Sequence, residues 1–166
     1  MVIDALVARM DLRTEGRPEV SRWGVEWRFF APVTTRPILL AAVMPDGGLR
    51  GDMENGEKFT AMQFSTHQWE LAVGGPDEVA LAEQAEAGLQ PASWRDLSFP
   101  PEDVTRGRGV AWSLPPMVAG EVARMHIAVS WCQAGHPLSD FTAWDTADIA
   151  PSAIHAAAGV HRRGSI

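Results

Sequence analysis

Two histidines have neighbours that could let them exchange protons, and they are the first candidates for chemistry in this 166-residue chain. His126 shares the even positions of a predicted strand with Arg124 and Ser130, so all three side chains point to one face. A stripe of imidazole, guanidinium and hydroxyl groups could bind an anion or transfer a proton. The same stripe is also typical of the solvent-exposed face of a half-buried strand, and the sequence favours that interpretation.

The second histidine, His67, lies three residues before Glu70. An imidazole beside a carboxylate could act as a general base. Residues three apart fall on opposite faces of a regular strand, so only a bulge or sharp bend near residues 65–67 would bring the two side chains together. The apolar positions do change phase between Phe64 and Trp69, but a bend that simply turns the sheet is the favoured interpretation.

Tryptophan is unusually frequent, with seven in the chain. Tryptophan is enriched in cores and at interfaces, and it also lines ligand pockets. Four tryptophans lie at apolar positions of predicted strands and would form the walls of a pocket if the scaffold encloses one: Trp23, Trp27, Trp112 and Trp131.

Metal and cofactor sites are not predicted. Cys132 is the single cysteine, so no cluster of thiolate ligands can form within one chain. The acidic residues at 52–57 do not have the spacing of a calcium loop. His155 and His161 are six apart in a predicted tail, where sequence gives no reason for a shared ion. Phosphate-binding glycine motifs are likewise absent.

Alternating apolar and polar residues predict most of the strands. Residues 20–30 give the clearest pattern, and we expect them to pair with residues 6–12 as a hairpin. Residues 38–44 are apolar on both faces and predict a central strand. Residues 110–131 predict a second hairpin, and residues 52–56 a polar loop.

One helix is predicted near residues 76–88. Pro76 stands at its start, two acidic residues follow in the first turn, and Gly88 supplies the stop. Six strands and one short helix, without a βαβ rhythm, predict a mainly β fold, either a β-sandwich or a flattened antiparallel barrel, with α+β as the alternative. We expect residues 1–150 to form a single domain and residues 151–166 to be a flexible C-terminal tail.

Charge and composition narrow the partners. The net charge of −7 opposes binding to nucleic acid phosphates. The sequence has no uninterrupted apolar run of membrane-spanning length, and its single cysteine favours a reducing cytoplasm. We therefore expect a protein partner, no nucleic acid and no membrane, and the composition leaves a homo-oligomer open.

Two functions are compatible with these features. The first is a non-enzymatic protein-binding domain, such as an inhibitor, immunity or accessory protein, that acts on a basic partner surface. The alternative is a small-molecule enzyme or carrier with a tryptophan-lined pocket, in which His126 or His67 supplies the acid–base group and Arg124 or Glu70 assists. The lack of a recognised catalytic motif favours the first hypothesis.

Overall fold

The computed structural model describes residues 2–9, 21–43, 49–55, 59–95, 109–137, 139 and 142–156. Within these ranges the fold is mainly antiparallel β, as the sequence predicts. The strands are β1 (Val2–Arg9), β2 (Ser21–Phe30), β3 (Ile38–Val43), β4 (Leu49–Asn55), β5 (Thr60–Ser65), β6 (Trp69–Gly75), β7 (Gly109–Leu114) and β8 (Val122–Gln133). The helices with defined bounds are α1 (Glu78–Glu86) and α2 (Thr142–Ala147), and a 3-10 turn spans Ala92–Trp94.

Six strands form one sheet in the order β1-β2-β8-β6-β5-β4, and β3 pairs with β7 in a second sheet. The predicted pairing of the first two strands is confirmed, with Val7 opposite Val25 in an antiparallel register. The phase change near residues 65–67 is a turn between two paired strands rather than a bulge within one strand. Residues 52–55, predicted as a loop, belong to β4.

The predicted second hairpin is wrong, because β7 pairs with β3 and not with β8. Pro115 and Pro116 follow β7 and lack the N–H groups that a tight hairpin would use. The connection instead bonds to the loop after β2, where Ala31 N donates to Glu121 O at 3.1 Å and Gly120 N donates to Ala31 O at 2.7 Å. Leu39 is 58% exposed, so β3 is not the doubly covered central strand that its composition indicates.

The main core lies between the two sheets. Alternate residues of β2 and β8 face this layer, and α1 closes it with Leu81 and Ala85. Trp112 packs directly on Gly75, where an added Cβ would lie 2.5 Å from the indole ring. Such a contact requires glycine at this point of β6.

Helix α1 confirms the predicted helix. Its N-cap is Asp77, whose carboxylate accepts a hydrogen bond from Ala80 N at 2.8 Å. Gly88 has a φ of +73° just beyond the helix, a conformation that glycine adopts without steric cost. Across the described residues, no helix is both long and apolar enough to cross a membrane.

The opposite face of the six-stranded sheet is covered by α2 and by helical residues 151–156. Ile154 is fully buried and packs in a second apolar cluster with Phe59, Ala128 and Ile149. The structure therefore differs from the predicted flexible tail over these six residues, because Ile154 anchors them to the sheet. Residues 157–166 lie outside the described part of the chain.

Candidate functional site

The covered face of the six-stranded sheet brings a carboxylate and two imidazoles together. Glu26 of β2 and His126 of β8 are direct cross-strand partners, and both point away from the main core. His155 reaches the same point from helical residues 151–156, next to the anchoring Ile154. Three elements that are distant in sequence therefore position the three side chains.

Glu26 is the centre of this cluster and is fully buried. Its Oε2 atom lies 3.1 Å from His126 Nε2 and 2.7 Å from His155 Nδ1. Its Oε1 atom accepts a hydrogen bond from Arg28 Nε. Since an unpaired buried carboxylate is strongly unfavourable, these three partners are what make the position tolerable for a charged group.

The surroundings fix the protonation of two of these groups. Burial raises the pKa of Glu26, but the hydrogen bonds from His155 and Arg28, the charge of Arg28 and, at acidic pH, the charge of protonated His126 outweigh it, and the pKa falls to about 2. Burial lowers the pKa of His126 in spite of the neighbouring Glu26 carboxylate. At neutral pH Glu26 is therefore ionised, and a neutral His126 donates its Nε2–H to it.

The solvent-exposed interpretation of His126 is wrong, because α2 and helical residues 151–156 cover the strand there and leave the residue 8% exposed. Its predicted companions lie at different places. Ser130 is buried two rows further along β8, and Arg124 is paired in register with Arg28. The Gln90 side chain makes hydrogen bonds with both the backbone N–H and the backbone C=O of Arg124, which holds this segment of β8 in place.

His67 and Glu70 are not brought together. His67 is exposed in the turn between β5 and β6, whereas the Glu70 carboxylate accepts from Ser65 Oγ at 2.6 Å and from Gln63 Nε2 at 3.3 Å. No hydrogen bond or ion pair joins these two described residues. The turn separates them because it ends one strand and starts the next, so the bulge that would have paired them does not form.

The four candidate tryptophans lie on the other side of the sheet from His126. Trp23 and Trp131 stack with ring centroids 6.4 Å apart, Trp27 packs on the main core, and Trp112 is buried within it. A single site therefore cannot combine the tryptophan walls with the His126 imidazole. Strand alternation decides this, since odd and even positions point to opposite faces.

The cluster also contains the side chains that could hold a metal ion. One ligand atom from each of Glu26, His126 and His155 lies within 4.8 Å of the other two. Glu26 is not among the site residues predicted from the sequence, and His155 is predicted there only beside His161, which lies outside the described residues. One feature of the sequence pointed to Glu26: it lies in the middle of the strand with the clearest alternation, opposite His126 when β2 and β8 are aligned.

An ion pair holds α2 against the same face. Arg22 Nη2 lies 2.9 Å from Asp145 Oδ2, and the Arg22 side chain is 4% exposed. This pair joins β2 to α2 and so fixes part of the cover over the sheet. It stabilises the scaffold around the cluster.

Comparison of the chain with protein-family models, with curated proteins and with solved structures found no match.

Proposed function

We propose that this chain is an enzyme or carrier for a small anionic molecule, which binds beside the Glu26–His126–His155 cluster. The observation that carries the proposal is a fully buried, ionised carboxylate hydrogen-bonded to two imidazoles, one of them half-exposed. Imidazoles held by a carboxylate are suited to proton transfer and to ligand binding. Perturbed titratable groups concentrate at functional sites, which supports this location over the exposed His67.

Within the described part of the chain, the approach to the cluster is open at one end. Beyond the Arg28–Arg124 row, Val2, Phe30 and Val122 lie in register across three strands, and all three are exposed. Helical residues 151–156 therefore cover the cluster from one side only. The His155 side chain, 52% exposed, lies at the boundary between the covered and the open part of the face.

The row of arginines indicates the charge of the ligand. Arg28 and Arg124 are direct cross-strand partners, and like charges in this arrangement repel each other. Arg28 donates a hydrogen bond to Glu26, and the residue opposite Arg28 on β1 is Asp4. The Arg124 guanidinium, in contrast, has no hydrogen bond or ion pair among the described residues. An anionic ligand such as a carboxylate or phosphate ester would complete this arrangement.

Titration of metal-free, isotope-labelled protein with small carboxylates and phosphate monoesters tests the proposal by amide chemical shifts. We expect the shifts to centre on β2, β8 and helical residues 151–156. Loss of one charge-assisted contact in R124Q should weaken binding by about tenfold or more. Exposed Arg36 supplies the matched control R36Q, which should bind as the natural chain does. Equal affinity in R124Q and R36Q would contradict the proposal.

We propose as a second candidate function that the chain is a protein-binding domain that acts on a basic partner surface. It is supported by Trp144, which is 50% exposed on α2, with the exposed Asp148 one helical turn later. Exposed tryptophans next to charged groups are frequent anchors of interfaces, and the chain carries a net charge of −7.

The second proposal is tested with W144A against the control W69A, since Trp69 is equally accessible at 48% but lies in the turn-proximal end of β6. A partner captured by the tagged chain is purified and titrated with both variants. We expect W144A to weaken binding by more than about tenfold, with a salt-dependent affinity. Binding that is insensitive to both W144A and salt would remove the proposal.

A further inference from the structure

We infer that Glu26, His126 and His155 form a binding site for a divalent transition-metal ion of the Zn²⁺ class. This inference uses the cluster on which the proposed function rests, and it names the cofactor of that site. It does not require the anionic ligand, because the three protein side chains alone would hold the ion.

The distances between the donor atoms are close to those of a metal centre. An ion with ligand bonds of about 2.0–2.1 Å in tetrahedral geometry holds its ligand atoms roughly 3.4 Å apart. Glu26 Oε2 lies 3.1 Å from His126 Nε2 and 2.7 Å from His155 Nδ1, and all three atoms are within 4.8 Å of one another. Relative to that spacing, the 2.7 Å pair must separate by roughly 0.7 Å and the two imidazole nitrogens, which are within 4.8 Å of each other, must approach; the half-exposed His155 is the ligand that can move to meet both requirements.

Two of the three ligands are held rigidly. Glu26 and His126 lie directly opposite each other on β2 and β8, two interior strands that pair with each other from Ser21 to Phe30 of β2. The third ligand, His155, is positioned by the buried Ile154 beside it. A site on rigid strands with one adjustable ligand is preorganised and still accessible to an incoming ion.

Arg28 orients the Glu26 carboxylate in this arrangement. It binds Glu26 Oε1 and leaves Oε2 directed at the two imidazoles, which favours coordination through a single oxygen. Groups that bind the outer atoms of a metal ligand orient it and tune the site. To coordinate through Nε2, neutral His126 carries its proton on Nδ1 instead, so the Nε2–H hydrogen bond to Glu26 is replaced by the metal bond.

The ligand set selects the kind of ion and the kind of site. Two imidazole nitrogens and one carboxylate oxygen suit Zn²⁺, Co²⁺ and Fe²⁺, whereas Ca²⁺ and Mg²⁺ prefer oxygen ligands alone. Three protein ligands leave a coordination position for water or substrate, as in catalytic rather than structural centres. The exposed side of His155 and the nearby Arg124 place that position where an anionic molecule can reach it.

Calorimetric titration of the metal-free full chain with ZnCl₂ alone tests the inference, and CoCl₂ with visible absorption gives a second readout. We expect one ion per chain and no saturable binding of Mg²⁺ or Ca²⁺. The variants H155A, H126Q and E26Q should each lose more than tenfold in Zn²⁺ affinity. Substitution of residues that only contact a metal ligand already costs about 10–100-fold, so loss of a ligand itself should cost at least as much. Exposed His67 gives the matched control H67A, which should bind like the natural chain.

The variants separate the outcomes. Absence of Zn²⁺ and Co²⁺ binding by the natural chain overturns the inference, and so does unchanged affinity in H155A, which replaces a half-exposed side chain. Loss of binding in H155A but not in folded H126Q and E26Q would place the ion elsewhere and also overturn it. Because the anion titration is performed in chelator and the metal titration without anion, the two proposals fail independently.

Discussion

Replacing Glu26 by glutamine should destabilise the metal-free chain by about 3 kcal/mol at neutral pH. The pKa of this carboxyl falls from 4.5 to about 2 in the folded protein. Each unit corresponds to about 1.4 kcal/mol, so the ionised form gains about 3 kcal/mol from its surroundings. Glutamine keeps the shape but loses this interaction and leaves the Arg28 charge without its partner, a change that costs a similar amount at other buried ion pairs.

The effect has a defined pH dependence. A depressed pKa contributes stability that is fully present above the unfolded-state value of 4.5 and is lost as the pH falls through the folded-state value near 2. The deficit of E26Q should therefore shrink to less than half its neutral value near pH 3. The natural chain should also lose stability on acidification below pH 6.5, because the unfolded chain binds a proton at His126 more readily than the folded one.

Urea unfolding in the presence of a chelator measures both effects through fluorescence of the seven tryptophans. The matched control is E86Q, a change of the same chemistry on the exposed side of α1, which should stay within about 0.5 kcal/mol of the natural chain. A loss of unfolding free energy in E26Q no larger than that in E86Q, or a loss of the same size at neutral pH and near pH 3, would refute this stabilisation of Glu26.

Three further substitutions test the fold that supports the cluster. I154A should lower the free energy of unfolding in urea by about 2–5 kcal/mol because Ile154 is fully buried. If residues 151–156 were a free tail, I154A would leave the stability unchanged. S152A, at an exposed position in the same helical residues, is the control. G75A should cost about 1–3 kcal/mol of unfolding free energy because its Cβ would meet the Trp112 indole at 2.5 Å. In a double-mutant cycle, W112F should relieve part of that cost. If the effects of G75A and W112F are strictly additive, the contact is not the cause. D77A removes the N-cap of α1 and should cost about 1 kcal/mol, while D77N, which keeps an oxygen acceptor, should recover most of it in the same assay.

Strand and helix types could be predicted from the sequence because they depend on neighbours in the chain. Alternation at residues 20–30 identified β2, and Pro76, the acidic first turn and Gly88 placed α1 to within two residues at each end. The same local patterns correctly gave the first hairpin, whose strands are adjacent in sequence. The mainly β class follows from these elements.

Strand partners, layers and the cluster were decided only by the tertiary structure. The pairing of β3 with β7 joins segments about 70 residues apart, and no local pattern encodes it. His126 was a candidate from its strand alone, but whether its face was wet or covered depended on α2 and on helical residues 151–156. Glu26 acquires its role only when β2 lies against β8 and His155 closes over both, since a charge is tolerated inside a protein only where the whole fold supplies its partners.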